Sequence, residues 1–187
     1  MSGTANDELL EVVDTLPRTR WTGTVYRYTS ARRDPMSGAG ARLFGGRWNP
    51  QGIFAALYFA FPAEACMAEV ERAAASQGLT AETLLRAARR LHTMEIRNAS
   101  VLDLTDPATM NAVGLALEDV RSDDWEACQA VGHAAWFLHF DGVLAPSASG
   151  IGYVLALFES RIHGGVLTLT SSEDLTPELY ESLKADL

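Results

Sequence analysis

Short strand-like runs and helical periods follow one another along this chain in no regular order, and that irregularity constrains the fold more than any other feature. A doubly wound parallel sheet needs a βαβα rhythm. Scattered strands joined by loops and single helices instead build an α+β domain, a largely antiparallel sheet with flanking helices. Asp7 to Leu16 carries a short helical pattern ended by Pro17. Gly23–Tyr28 then alternates as a strand, with Val25 on one face and Tyr26 and Tyr28 on the other. Residues 37–52 (SGAGARLFGGRWNPQG) are too rich in turn formers for a helix or a regular strand and read as an ordered loop. Ile53–Phe61 fits a buried strand, and Pro62 starts a helix running to about Gly78. Thr80 opens a further helix; Arg90–Ile96 and Ser100–Leu104 read as two strands, and Asp106-Pro107 begins a short capped helix. The long amphipathic pattern from Trp125 to Phe140 is preceded by Asp123 and Asp124, both placed to complement its dipole. Gly142–Ala145, Tyr153–Phe158 and Val166–Leu169 are strand-like, and Thr176-Pro177 caps a last helix.

At 187 residues, 48% of them hydrophobic, the chain can bury one core of ordinary size. The expectation is a helical extension over residues 1–20 and a single globular domain over 21–187. A formal charge of −9 argues against nucleic acid as a direct partner, since affinity for it comes from neutralising phosphates, and favours a basic protein partner. The lone lysine, Lys184, lies near the C-terminus, which leaves neither a Schiff-base nor a phosphate-loop lysine; any anion must be held by arginine. No apolar segment is long enough to cross a bilayer and no leader pattern precedes the domain, so a cytoplasmic location is expected. Cys66 and Cys128 stand far apart with no metal-ligand spacing around them and read as buried thiols. The histidines form no metal constellation: His133 and His139, read on one helix, are six apart and do not share a face.

Chemistry-bearing side chains gather in a few places. Gly45-Gly46-Arg47-Trp48-Asn49 offers close backbone approach, an anion fork, a stacking plane and an amide, although a tight turn with a surface arginine and a core tryptophan accounts for the same letters. Glu69 sits beside the apolar helix stripe with Ala65 and Ala73 at i−4 and i+4, which leaves room for a ligand; pairing with Arg72 at i+3 would make it an ordinary surface residue. Tyr58 and Tyr28 lie in strands, where aromatics are usually core, whereas Arg27 in mid-strand must reach an edge or face a polar cavity. The Pro146–Gly150 turn presents Ser147 and Ser149.

Taken in order, these segments resemble the RES-domain family, toxins of bacterial toxin–antitoxin pairs named for an arginine, a glutamate and a serine. The resemblance runs from Tyr26-Arg27 through Gly46–Asn49, Tyr58 and the Glu69 helix to Ser147. The stretch from Asp123-Asp124-Trp125 to Gln129–Trp136 resembles the actinobacterial branch whose members cleave NAD with phosphate. The resemblance implies an ADP-ribosyltransferase-like fold and an NAD site in which Glu69, Arg47 and Tyr58 are catalytic, while Arg27, Tyr28, Gly46, Trp48, Asn49 and Ser147 bind the substrate. It implies no prosthetic group and no metal, NAD as substrate, and inorganic phosphate as co-substrate. It also implies a cognate antitoxin carrying an Xre-like helix-turn-helix that blocks the NAD site, in an oligomeric complex. One departure stands out: many members carry an asparagine-rich run soon after the serine, and Tyr153–Ser160 (YVLALFES) has none.

Nicotinamide leaves NAD as a neutral molecule from a cationic pyridinium, so no general acid is needed and the usual glycosidase pair of carboxylates can reduce to one. Phosphate as acceptor gives ADP-ribose 1″-phosphate, water gives ADP-ribose by plain glycohydrolysis, and a protein side chain gives a mono-ADP-ribosylated target.

Overall fold

The computed structural model describes residues 2–184, so the last three residues of the expected 21–187 domain lie outside the described residues. In chain order the elements are α1 (Ser2–Thr15), β1 (Thr19–Ser30), α2 (Ala39–Phe44), β2 (Ala56–Phe61), α3 (Ala63–Ser76) and α4 (Ala81–Leu84). Then follow β3 (Arg89–Asp103), α5 (Pro107–Ala112), α6 (Leu117–Arg121), α7 (Glu126–Phe137), β4 (Gly142–Pro146), β5 (Tyr153–Phe158), β6 (Leu167–Asp174) and α8 (Pro177–Lys184).

The strands curl into a ring in the order β1-β2-β5-β4-β3, which closes because β3 also pairs with β1. β1 runs antiparallel to β3 from Thr19↔Val101 to Ser30↔Arg89. β3 meets β4 in parallel at Val101↔Gly142, and β4–β5 and β5–β2 are antiparallel. β2 returns to β1 through the narrow seam Tyr26↔Ala60, and β6 extends the sheet from the free edge of β3. The sheet is thus largely antiparallel, as expected for an α+β domain. Strand alternation divides the side chains: Val25, Leu57, Phe59, Met94, Leu155 and Leu157 fill the ring, while the outward faces of β1 and β2 receive α3 and those of β4 and β5 receive α7. Among the described residues no helix is long and apolar enough to cross a membrane.

Several local expectations change. The glycine-rich loop contains α2, because Ala39–Phe44 holds good helix formers between its glycines, and Gly45 ends the helix at φ 76°. The two strands expected over 90–104 are one, β3, which stays continuous because Asn98 adopts φ 56° at the bend, a left-handed conformation that asparagine tolerates. α7 ends at Phe137, so His139, at φ 63°, lies beyond it and shares no helix with His133. The β2 strand begins at Ala56; Ile53 precedes it and is half exposed. Of the two aspartates before α7 only Asp124 serves the helix start, accepting the Glu126 backbone N–H at 3.1 Å, whereas Asp123 turns away to an ion pair.

Candidate active site

The outward faces of β1 and β2, the exposed side of α3, the turn at 45–48 and the segment joining α6 to α7 enclose a cleft of about 720 Å³. Tyr26, Tyr28, Tyr58 and Ala60 form its floor, Glu69, Arg72 and Ala73 one wall, and Gly46 and Arg47 with Trp125 the other.

The Gly46–Asn49 turn is closed by paired backbone bonds, Gly46 N–H to Asn49 O at 2.9 Å and Asn49 N–H to Gly46 O at 3.3 Å. A Cβ on Gly46 would lie 2.5 Å from the Tyr58 hydroxyl and 2.7 Å from Asn49 Oδ1, so only glycine lets the turn sit on this pair. The Tyr58 hydroxyl accepts the Trp48 N–H at 2.9 Å and donates to Asn49 Oδ1 at 2.8 Å. Asn49, fully buried, sends its own amide to Ala41 O at 2.8 Å. Burial pushes the Tyr58 phenol far above its ordinary pKa, so it remains a neutral donor. Tyr58 borders the cleft, but its polar atom is spent on the turn; Asn49, buried, likewise spends its amide on Tyr58 and Ala41. Trp48 also borders the cleft, but at 1% exposed its indole packs in the core and offers no open stacking plane. The exposed aromatic of the cleft is Trp125.

Arg47 is the product of this fastening. It is 8% exposed, and its Nη1 donates to Ser122 O at 2.6 Å. Its Nη2 is buried and has no hydrogen-bond partner among the described residues. Its guanidinium lies 5.6 Å from the Trp125 ring centroid. Burial, then the nearby Arg72, lower its pKa, yet a guanidinium stays charged in any protein. Arg47 therefore borders the cleft with one buried N–H whose hydrogen-bonding capacity is unused.

Glu69 faces the cleft from α3, and one of its carboxylate oxygens accepts the Ser147 hydroxyl at 2.6 Å. Ser147 is 1% exposed. Because its proton goes to Glu69, the neighbouring Ser149 hydroxyl at 2.6 Å must be donor to Ser147, whose oxygen also accepts the Ser149 N–H at 3.1 Å. Ser147 rather than Ser149 is therefore the serine that touches the glutamate. Arg72 does not pair with Glu69, the arrangement that would have made the latter an ordinary surface residue; its Nη2 meets Asp123 Oδ1 at 3.1 Å across the cleft. Tyr28 lines the floor, and burial first, then Cys66 and Glu69, push its phenol up to about 12.

Arg27 borders the same cleft with two of its five N–H donors already engaged. Alternation puts it on the Val25 face, 6.0 Å from the Phe59 ring centroid, and its guanidinium donates to Pro35 O at 3.2 Å and Ser37 O at 3.1 Å. Three contributors were not legible as site residues: Arg72, Trp125, and Gln129, whose amide holds Gly46 O at 3.0 Å. Trp125 and Gln129 belong to the segment that carried the branch resemblance; Arg72 had no signal beyond its place one turn after Glu69. No group of three metal-ligating side chains occurs among the described residues.

A family model described as the RES domain matches residues 20–176. The NAD(+) phosphorylase MbcT of Mycobacterium tuberculosis is 52% identical over 185 residues, 99% of this chain and 100% of that protein. The MbcT of Mycobacterium bovis matches with the same figures. The crystal structure of the M. tuberculosis MbcT–MbcA toxin–antitoxin complex matches the fold with a TM-score of 0.92 at 52% identity, covering 97% of this chain and 99% of that one.

Proposed function

The chain belongs to the RES-domain family, and from that membership we propose that it is the toxin of a bacterial toxin–antitoxin pair, an enzyme that destroys NAD by phosphorolysis of the nicotinamide–ribose bond. The observation that carries this reading is one carboxylate, Glu69, oriented by Ser147 in a cleft whose opposite wall holds Arg47 with a spare N–H.

The chemistry asks little else. The C1″–N bond of NAD breaks with its electron pair going to the pyridinium nitrogen, and neutral nicotinamide leaves unprotonated. Positive charge develops on the ribose, and a fixed carboxylate beside it stabilises that charge without having to reorganise. Glu69 takes this role. Ser147 is a positioning residue that acts through it, and the Tyr58–Asn49 pair is a positioning unit for Arg47. Arg47 supplies the charge for a phosphate oxygen, and Tyr28 and Trp125 offer aromatic surfaces that keep stray water from the reacting carbon. Phosphate as acceptor forms the new C1″–O bond and gives ADP-ribose 1″-phosphate, with no oxidant or reductant involved.

The partner in this reading is an antitoxin with an Xre-like helix-turn-helix that covers the cleft in the cytoplasm, with any DNA contact made by the antitoxin. Leu43 and Phe44, 62% and 69% exposed on α2 and immediately before the cleft-lining Gly45, support a protein cover at the cleft mouth. Expression of the chain in a bacterial host should collapse cellular NAD and arrest growth. Glu69→Ala or co-expression of the antitoxin should abolish both; NAD loss undiminished in Glu69→Ala would remove the proposed site from the reaction.

A further inference from the structure

Resting on the phosphorolysis reading, we infer that Arg72, together with Arg47, forms the acceptor subsite that binds inorganic phosphate beside Glu69. Ser122 and Asp123 are consecutive residues, and each tethers one guanidinium: the Ser122 carbonyl takes Arg47 Nη1 and the Asp123 carboxylate takes Arg72 Nη2. One short segment thereby brings the two arginines to the same cleft. Arg72 lies three residues after Glu69, on the same side of α3, so a group held between the two arginines sits next to the carboxylate that works at the ribose carbon.

The two tethers differ in strength, and that difference suits an exchangeable oxyanion. Arg47 is buried, anchored to a carbonyl, and keeps Nη2 unpartnered among the described residues. Arg72 is held only by Asp123, whose side chain is 98% exposed, and a solvated ion pair of this kind yields readily to a phosphate dianion that offers paired oxygens to the guanidinium fork. The hydroxyl of hydrogen phosphate gives the Glu69 oxygen not engaged by Ser147 a proton donor, which relieves the repulsion between the two anions. Arg27 sits on the other face of β1, beside Phe59, with two of its N–H groups on Pro35 and Ser37, so Arg72 is the better placed partner for Arg47. The bond formed joins a phosphate oxygen to C1″ as the bond from C1″ to nicotinamide breaks, and the product ester sheds its extra proton to solvent.

Phosphate oxygens could also come from the diphosphate of NAD itself, and steady-state kinetics separate the two sources. Arg72→Ala is partly exposed in the wild type and should fold normally, which circular dichroism checks. It should raise KM for inorganic phosphate at least about tenfold and leave KM for NAD within about twofold, with ADP-ribose appearing at the expense of ADP-ribose 1″-phosphate. Arg72→Lys should recover part of the phosphate KM. A raised KM for NAD with an unchanged KM for phosphate would assign Arg72 to the diphosphate and overturn the inference, as would a variant with wild-type kinetics. If the wild-type protein itself makes no ADP-ribose 1″-phosphate at any phosphate concentration, it is the phosphorolysis reading that fails.

Discussion

Glu69 owes its geometry to a hydroxyl that a reader of the sequence alone would place in a flexible turn. Ser147 is buried and spends its proton on the carboxylate, so the pair can be tested by removing a single oxygen. Ser147→Ala should lower kcat about tenfold, the equivalent of one charge-assisted hydrogen bond, with little change in KM for NAD. Glu69→Gln should cost about a hundredfold or more. Equal losses in both variants would mean that Ser147 does more than position. At this scale the sequence identified residue types better than their uses: Arg47 and Glu69 both reach the cleft, whereas Trp48 is core, and Asn49 and Tyr58 are fasteners. The letters GGRWN are compatible with either outcome. What decides is that Tyr58, distant by nine residues from Asn49, returns on β2 to lie under the turn.

The turn is carried by an element as well as by residues. α7 passes so close beneath it that a Cβ on Gly132 would stand 2.0 Å from Trp48 O, and Gln129 on the same helix holds Gly46 O. Gly132→Ala should therefore destabilise the protein by roughly 3 kcal/mol and reduce activity by displacing Arg47, readable as a lowered melting temperature and a raised KM for phosphate. A stable, fully active Gly132→Ala protein would show that α7 and the turn move independently. Most of the helices, though not α2 or α6, were legible in the sequence. Asp106 and Thr80 accept the N–H groups that their residue types predict, and the Glu69 helix follows its apolar stripe, with Cys66, Met67, Val70 and Ala74 all buried. α2 was hidden because its flanking glycines outweigh its helix formers in any local reading, and β3 looked like two strands because Asn98 sits where its register with β1 shifts, between Gly23↔Ile96 and Trp21↔Ala99, while the strand itself runs on.

Closure of the sheet is a property of the whole molecule and left no local trace. Alternation placed Val25 opposite Tyr26 and Tyr28 correctly, but only the β1–β3 pairing and the Tyr26↔Ala60 seam make one face the inside of a ring. That closure carries Arg27 to the ring's interior face while the tyrosines floor the cleft. It also buries His92, which joins β1 to β6 through Thr29 Oγ1 at 2.8 Å and the Ser172 hydroxyl. Burial, then Arg90 and Arg27, lower the His92 pKa from 6.5, so the unfolded chain binds a proton more readily than the folded one. Stability from this group is fully present above about pH 6.5 and is lost as pH falls toward the lower folded value. The melting temperature should decline below that pH, and more steeply in the wild type than in His92→Gln; parallel slopes would exclude His92 as the cause.

The account as a whole stands on phosphate attacking NAD at Glu69. Its most direct test is NMR of small-molecule products from purified protein and NAD, with and without inorganic phosphate, beside Glu69→Ala. Nicotinamide and ADP-ribose 1″-phosphate in equal amounts, formed only with phosphate and lost in the variant, are the predicted result. Nicotinamide release that ignores phosphate, or that survives in Glu69→Ala, would contradict it.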